Sequence, residues 1–248
     1  RRIATDLMSS QALIPSATHA DSRRFAVGLA AFYASLFGLA GTQLPFFPVW
    51  LKAVGIEAGW IGIITALPAI SRFTALPLVT SLAERRQAVR QAIMATAFAT
   101  AVGVIAIGTQ HQALVVFAIY AATCAVWTPM TPLTDAYALR GVRRYGLSYG
   151  PLRLWGSVAF AVGALACGLL VDVIAAKHLI WVIAAVALAS ALVSLGLKPL
   201  EAPKAAPGEI HGDSRLLRDA GFRAIVAASA LVQGSHAAYY TFASIAWQ

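Results

Sequence analysis

Six stretches of this sequence each stay apolar for about the 20 residues that a helix needs to cross the hydrocarbon of a bilayer. They run from Phe25 to Trp50, Gly59 to Leu82, Gln91 to Thr109, Ala113 to Leu139, Ser148 to Val171 and Leu179 to Leu197, and a seventh begins near Phe222. Lipid offers no water to a backbone N–H or C=O, so runs of this length must satisfy those groups internally, as helices. The expected fold class is therefore all-α, a polytopic membrane protein. Composition agrees: with 59% hydrophobic and only 12% charged residues, 248 residues cannot cover a soluble surface.

The segments set the expected organisation. Residues 1–24 form an N-terminal tail, 25–197 a six-helix transmembrane bundle, 198–221 a linker and 222–248 the start of a further bundle. The linker is set apart by Pro199, Pro203 and Pro207 among Glu201, Lys204, Glu209 and Asp213. Arg1 to Asp21 hold no apolar core of the kind a secretory signal needs. A chain that opens on Arg1 and stops at Gln248 inside an apolar run reads as a fragment, with Met8 a candidate start.

A net charge of +9 raises the question of nucleic acid, but the arginines come in small groups between apolar runs and form no continuous basic face. They mark sidedness instead. One set of turns holds Arg23 and Arg24, then Arg85, Arg86 and Arg90, then Arg140, Arg143 and Arg144, whereas the other set holds only Lys52 and Lys177. The positive-inside bias then places the N-terminus in the cytoplasm, and the expected home is a bacterial inner membrane. Trp50, Trp60 and Trp181 would fall at the outer boundary as anchors. Cys124 and Cys167 both lie inside apolar runs, which speaks against a disulfide, and the Cys and His spacings give no metal pattern or cofactor.

Ionised residues inside these runs are the functional signal, because a charge at a helix centre costs roughly 3 kcal/mol on insertion scales. Cys124, Thr128, Thr131 and Asp135 recur at helical spacing, and Tyr149, Arg153, Ser157 and Phe160 form a similar face on the next segment. Asp135 and Arg153 each lie nine positions from Arg144, so an antiparallel hairpin would set them at equal depth, facing inward and paired. Asp135 has a plainer alternative in Arg140 or Arg143, and Arg153 could snorkel to headgroups. Arg72 is a third charge near the middle of segment two, either satisfied structurally or offering a planar fork to a carboxylate. In segment seven Ser229, Gln233, His236, Tyr240 and Ser244 share a face, with His236 either a buried neutral histidine or a proton-coupling group beside Asp135. The proline pairs Pro45/Pro48 and Pro129/Pro132 are what an inverted repeat would leave.

Four strings carry a resemblance: PFFPVWLKAVG from Pro45, TPLTDA from Thr131, YGPLRLWGSVAF from Tyr149 and QGSHAAYYTFASIAWQ from Gln233. Together they resemble the major facilitator superfamily, in the branch of 3-phenylpropionate permeases, nucleoside/proton symporters and lactose permease. The resemblance implies the N-terminal six-helix half of a twelve-helix fold plus part of helix seven, with proton-coupled uptake by alternating access. It also implies substrate contacts at Asp135 and Arg153, with Phe160 where the sugar porter has a tryptophan, which favours a flatter ligand. LAERRQAVR from Leu82 departs from the superfamily's glycine and aspartate signature, with Glu84 a stand-in for the acid.

The function expected is a carrier of a small organic anion such as 3-phenylpropionate, with a proton and the lipid bilayer as its other partners. Arg72, Asp135, Arg153, Phe160, Gln233, His236 and Tyr240 would line its path. The rivals are a same-fold exporter, a symporter of nucleosides or sugars, and a receptor or scaffold without transport; no nucleophile and base constellation suggests an enzyme.

Overall fold

The computed structural model describes residues 19–200 and 219–232, which fold as helices and turns with no strand among them. The chain divides into two compact units, 1–201 and 202–248. The first unit holds α1 (His19–Ala53), α2 (Ala58–Phe73), α3 (Ala75–Arg85), α4 (Val89–Gly108), α5 (Ala113–Trp127), α6 (Met130–Tyr145), α7 (Tyr149–Val171), a 3-10 turn (Ala176–His178) and α8 (Leu179–Ser194). The second holds α9, Ala220–Val232. Counting α2 with α3 and α5 with α6, the first unit presents six spans long and apolar enough to cross a membrane.

Around α1 the bundle is organised. Leu29, Phe32, Tyr33, Leu36 and Leu39 are all buried, at the three- and four-residue steps that line one face of a helix. That face lies on α7 and α8. The contact with α7 is close because it is made of glycines. Gly163 faces the backbone of Gly38, and a methyl on Gly41 would run into the Phe160 carbonyl. Small residues bring backbones together where no solvent drives association. The rest of α7 is apolar and exposed, with Leu154, Val158, Val162, Leu165 and Leu169 turned outward. An exposed leucine face is what lipid permits and water does not.

Three expectations need correcting. The basic turn Arg140 to Arg144 is helical, because α6 runs to Tyr145 and stops at Gly146, whose φ of 64° is the left-handed conformation that a glycine cap supplies. The segment-two helix is not continuous: α2 and α3 meet at a 40° bend around Thr74. Pro77 is the cause, since its ring clashes with the carbonyl four residues back, that of Phe73. Trp50 is no boundary anchor; it is 1% exposed and stacks on Phe47 with ring centroids 5.8 Å apart. Trp181 is 45% exposed.

The end of the sixth span is tied down. Arg90 Nε donates to the Leu197 carbonyl at 2.6 Å, the Tyr137 hydroxyl donates to the Lys198 carbonyl at 2.7 Å, and Lys198 Nζ pairs with Asp21 at 2.5 Å. Carbonyls at a helix C-terminus have no partner in their own helix, and a guanidinium is well suited to collect them. Leu197 and Lys198 therefore belong to the bundle's closure, linking α8 to α4, α6 and α1.

Candidate functional site

Asp135 lies in α6, two turns beyond the break at Thr128 and Pro129. Its Oδ1 accepts two tyrosine hydroxyls, from Tyr33 of α1 at 2.6 Å and from Tyr149, the first residue of α7, at 2.9 Å. The two tyrosine rings meet edge to face, 6.4 Å between centroids at 83°. Bonds of this length to a carboxylate are charge-assisted and stronger than those between neutral groups. Tyr33 is fully buried, so its hydroxyl has been brought to Asp135 as part of the packed face of α1.

Arg153 stands one turn after Tyr149 on the same helix. Its guanidinium carbon lies 3.8 Å from the centre of the Phe37 ring and 5.3 Å from that of Tyr33. Phe37 is held there by Gly156, where a side chain would strike the Phe37 ring. Among the described residues Arg153 makes no hydrogen bond or ion pair; its contacts are ring faces, a cation–π arrangement worth about 0.5–2 kcal/mol.

The expected Asp135–Arg153 ion pair is thus not formed. α6 and α7 touch little beyond their connecting turn, while α1 lies along α7. Tyr33 comes from that helix and serves both charges, its hydroxyl bonding the carboxylate and its ring facing the cation. Asp135 and Arg153 are joined through one aromatic side chain. Both hydroxyls go to Oδ1; Oδ2 accepts no hydrogen bond among the described residues, which leaves one oxygen of Asp135 open to a proton or a donor.

Arg72 is exposed in the last turn of α2, just before the bend, and among the described residues nothing joins it to Asp135 or Arg153. Its neighbour Ser71 donates to the Cys124 carbonyl at 2.8 Å, pinning this end of α2 to α5. Phe160 is half-buried, with its backbone against Gly41. Thr65, on the Arg72 face, bonds the Ile61 carbonyl of its own helix. Of the Cys124 to Asp135 face, Asp135 alone makes a side-chain hydrogen bond to another helix among the described residues, and the Thr128 hydroxyl is buried without a partner among them. Gln233, His236 and Tyr240 lie outside the described residues.

Sequence reasoning missed Tyr33 and Phe37. They are four apart on α1, the spacing at which side chains share a helix face, but a run rich in Phe and Leu disguises them as core. The available signal was a phenol hydroxyl in an otherwise apolar run, since a buried hydroxyl must find a partner.

Residues 26–246 match the MFS_1 like family. The chain is 30% identical over 230 residues to the probable 3-phenylpropionic acid transporter of Escherichia coli (strain K12), an alignment covering 89% of this chain and 59% of that protein. It is 32% identical over 211 residues to the maltose permease of Geobacillus stearothermophilus, covering 82% of this chain and 52% of the permease. It thus spans somewhat over half the length of these relatives. Among solved structures, a point mutant of the nucleoside transporter NupG superposes with a TM-score of 0.69 at 16% identity, over 87% of this chain and 52% of that one. Another crystal structure of NupG gives 0.65 at 14%, over 71% and 44%.

Proposed function

This chain belongs to the MFS_1 like family of the major facilitator superfamily, and we propose that the full protein is a proton-coupled carrier importing a small aromatic organic acid. The observation that carries the reading is Arg153. A guanidinium held over two rings keeps its N–H edge for another group, and a planar fork of donors matches a carboxylate. Phe37, Tyr33 and Phe160 supply apolar surface on the same two helices for a ring. The 3-phenylpropionic acid named for the Escherichia coli relative has both parts, a carboxylate and a ring.

In this reading Asp135 is the proton-responsive partner. Protonated, it would no longer polarise the Tyr33 hydroxyl as strongly, and the ring under Arg153 would be freer to shift. Arg72, Gln233, His236 and Tyr240 remain proposed lining residues. The arginine-rich turns support a cytoplasmic N-terminus in a bacterial inner membrane.

A second reading, a neutral sugar as substrate, draws on the maltose permease relative. One experiment separates the two. Full-length protein in proteoliposomes, alkaline inside, is expected to accumulate labelled 3-phenylpropionate, to stop when a protonophore is added, and to ignore maltose. Uptake indifferent to the gradient would remove the proton; maltose uptake with none of the acid would replace the substrate class; acid movement driven only outward would make it an exporter.

A further inference from the structure

Ten residues farther along α1 than Tyr33, about 15 Å of helix, stands a second polar group in a different setting. Gln43 is 5% exposed. Its Nε2 donates to the Tyr120 hydroxyl of α5 at 3.2 Å, while its Oε1 is buried with no hydrogen-bond partner among the described residues. A buried carbonyl left without a donor is costly, and native proteins leave few of them.

Gln43 lines a pocket of about 310 Å³ between α1, α2 and α5. Leu44, Phe47, Pro48, Ile61, Pro68 and Tyr120 supply its apolar wall. The other hydroxyl in the wall cannot serve Oε1, because Thr65 already spends its proton on the Ile61 and Gly62 carbonyls of its own helix, at 2.8 and 3.1 Å. Among the described residues no charged side chain borders the pocket. A carboxylate or an ammonium would therefore be desolvated there without compensation. The capacity left over at Gln43 is one acceptor and one amide N–H beside an apolar wall, in a volume about twice the roughly 150 Å³ of an engineered cavity that holds benzene.

We propose that this pocket is a binding site for an uncharged ligand of the phenol class, a single substituted aromatic ring that donates its O–H to Gln43 Oε1. The ring lies against Phe47, Ile61 and Pro68. This site is chemically opposite to Arg153, which calls for an anion, and it stands whether or not the carrier reading does.

The test uses full-length protein carrying Thr65→Cys, reconstituted in liposomes. Thr65 lies exposed at the pocket, whereas Cys124 and Cys167 are buried. The rate of maleimide alkylation is measured with phenol, anisole and toluene at matched concentrations in the membrane. Phenol is expected to protect at about tenfold lower concentration than either of the others, the effect of one hydrogen bond to a buried acceptor. Adding Gln43→Met should erase that difference and leave the protection by toluene. Equal protection by all three, stronger protection by anisole, or none at all overturns the proposal. The three-ligand comparison decides it without Gln43→Met if that variant fails to fold.

Discussion

The seam between α1 and α7 and the seam between α4 and α8 use small residues to different ends. On α4 and α8 the buried positions include Ile93, Ala97, Ala101 and Val104, and Ile183, Ala184, Ala187 and Ala191, and the glycine between them, Gly108, meets the side chain of Ile180 and not a backbone. On α1 and α7 glycines let backbone meet backbone, and the same helices carry Tyr33, Phe37, Tyr149 and Arg153. Arginine appears at both seams with opposite use. Arg90 spends its donors on the carbonyls that end α8, and Arg153 keeps its own. One seam closes the bundle; the other holds Arg153 over aromatic rings and brings Tyr33 and Tyr149 to Asp135.

Substitutions put that contrast at risk, beginning with the most damaging. Gly41→Leu should prevent α1 from seating against Phe160 and abolish monodisperse protein in detergent. Ala187→Leu on α8 should cost only roughly 1–3 kcal/mol, because side chains can yield where backbone cannot. Equal melting temperatures for the two would refute the distinction. Next, Arg153→Ala should weaken 3-phenylpropionate binding about a hundredfold with little change in melting, and Arg153→Lys about tenfold, since lysine keeps the charge and loses the planar fork. Arg90→Ala should do the reverse, losing about 1.5–3 kcal/mol of stability at unchanged affinity. Calorimetric titration beside thermal melts reads both, and an Arg90 variant that binds poorly but melts normally would exchange the roles of the two arginines.

Smaller again is Tyr33→Phe, which removes the 2.6 Å bond to Asp135 and keeps the ring under Arg153. Its expected cost is about 1–2 kcal/mol in stability, with affinity for the acid reduced less than by any Arg153 change. An unaltered melt would mean that Asp135 is held by Tyr149 alone. Last comes Lys198→Met. Its partner Asp21 is 46% exposed, so the loss should stay under about 1 kcal/mol and shrink further in high salt.

Apolar length alone revealed the six spans, because lipid leaves a backbone few choices. What each proline does was not legible in the same way. Pro45 and Pro48 sit inside an unbroken α1, where Phe47, Trp50 and Leu51 are buried and hold the helix on course. Pro77 bends its span where Arg72, Phe73 and Thr74 are exposed. Packing decides the outcome, and packing is not written locally. Asp135 and Arg153 stand out because a charge in an apolar run is conspicuous. Tyr33 does not, because its importance rests on one oxygen at the edge of a side chain that is otherwise core. Gln43 is a lone amide in the sequence, and only the helices around it reveal that half of it is unsatisfied.

A single phenol ring that serves an acid at its rim and a base at its face ties those two residues together in space. A lineage that altered the carboxylate would disturb the cushion beneath the guanidinium, and one that altered the guanidinium would change the ring's tilt towards the acid. Because Tyr33 comes from α1, Asp135 from α6 and Arg153 from α7, a change at any one of them bears on contacts in all three helices.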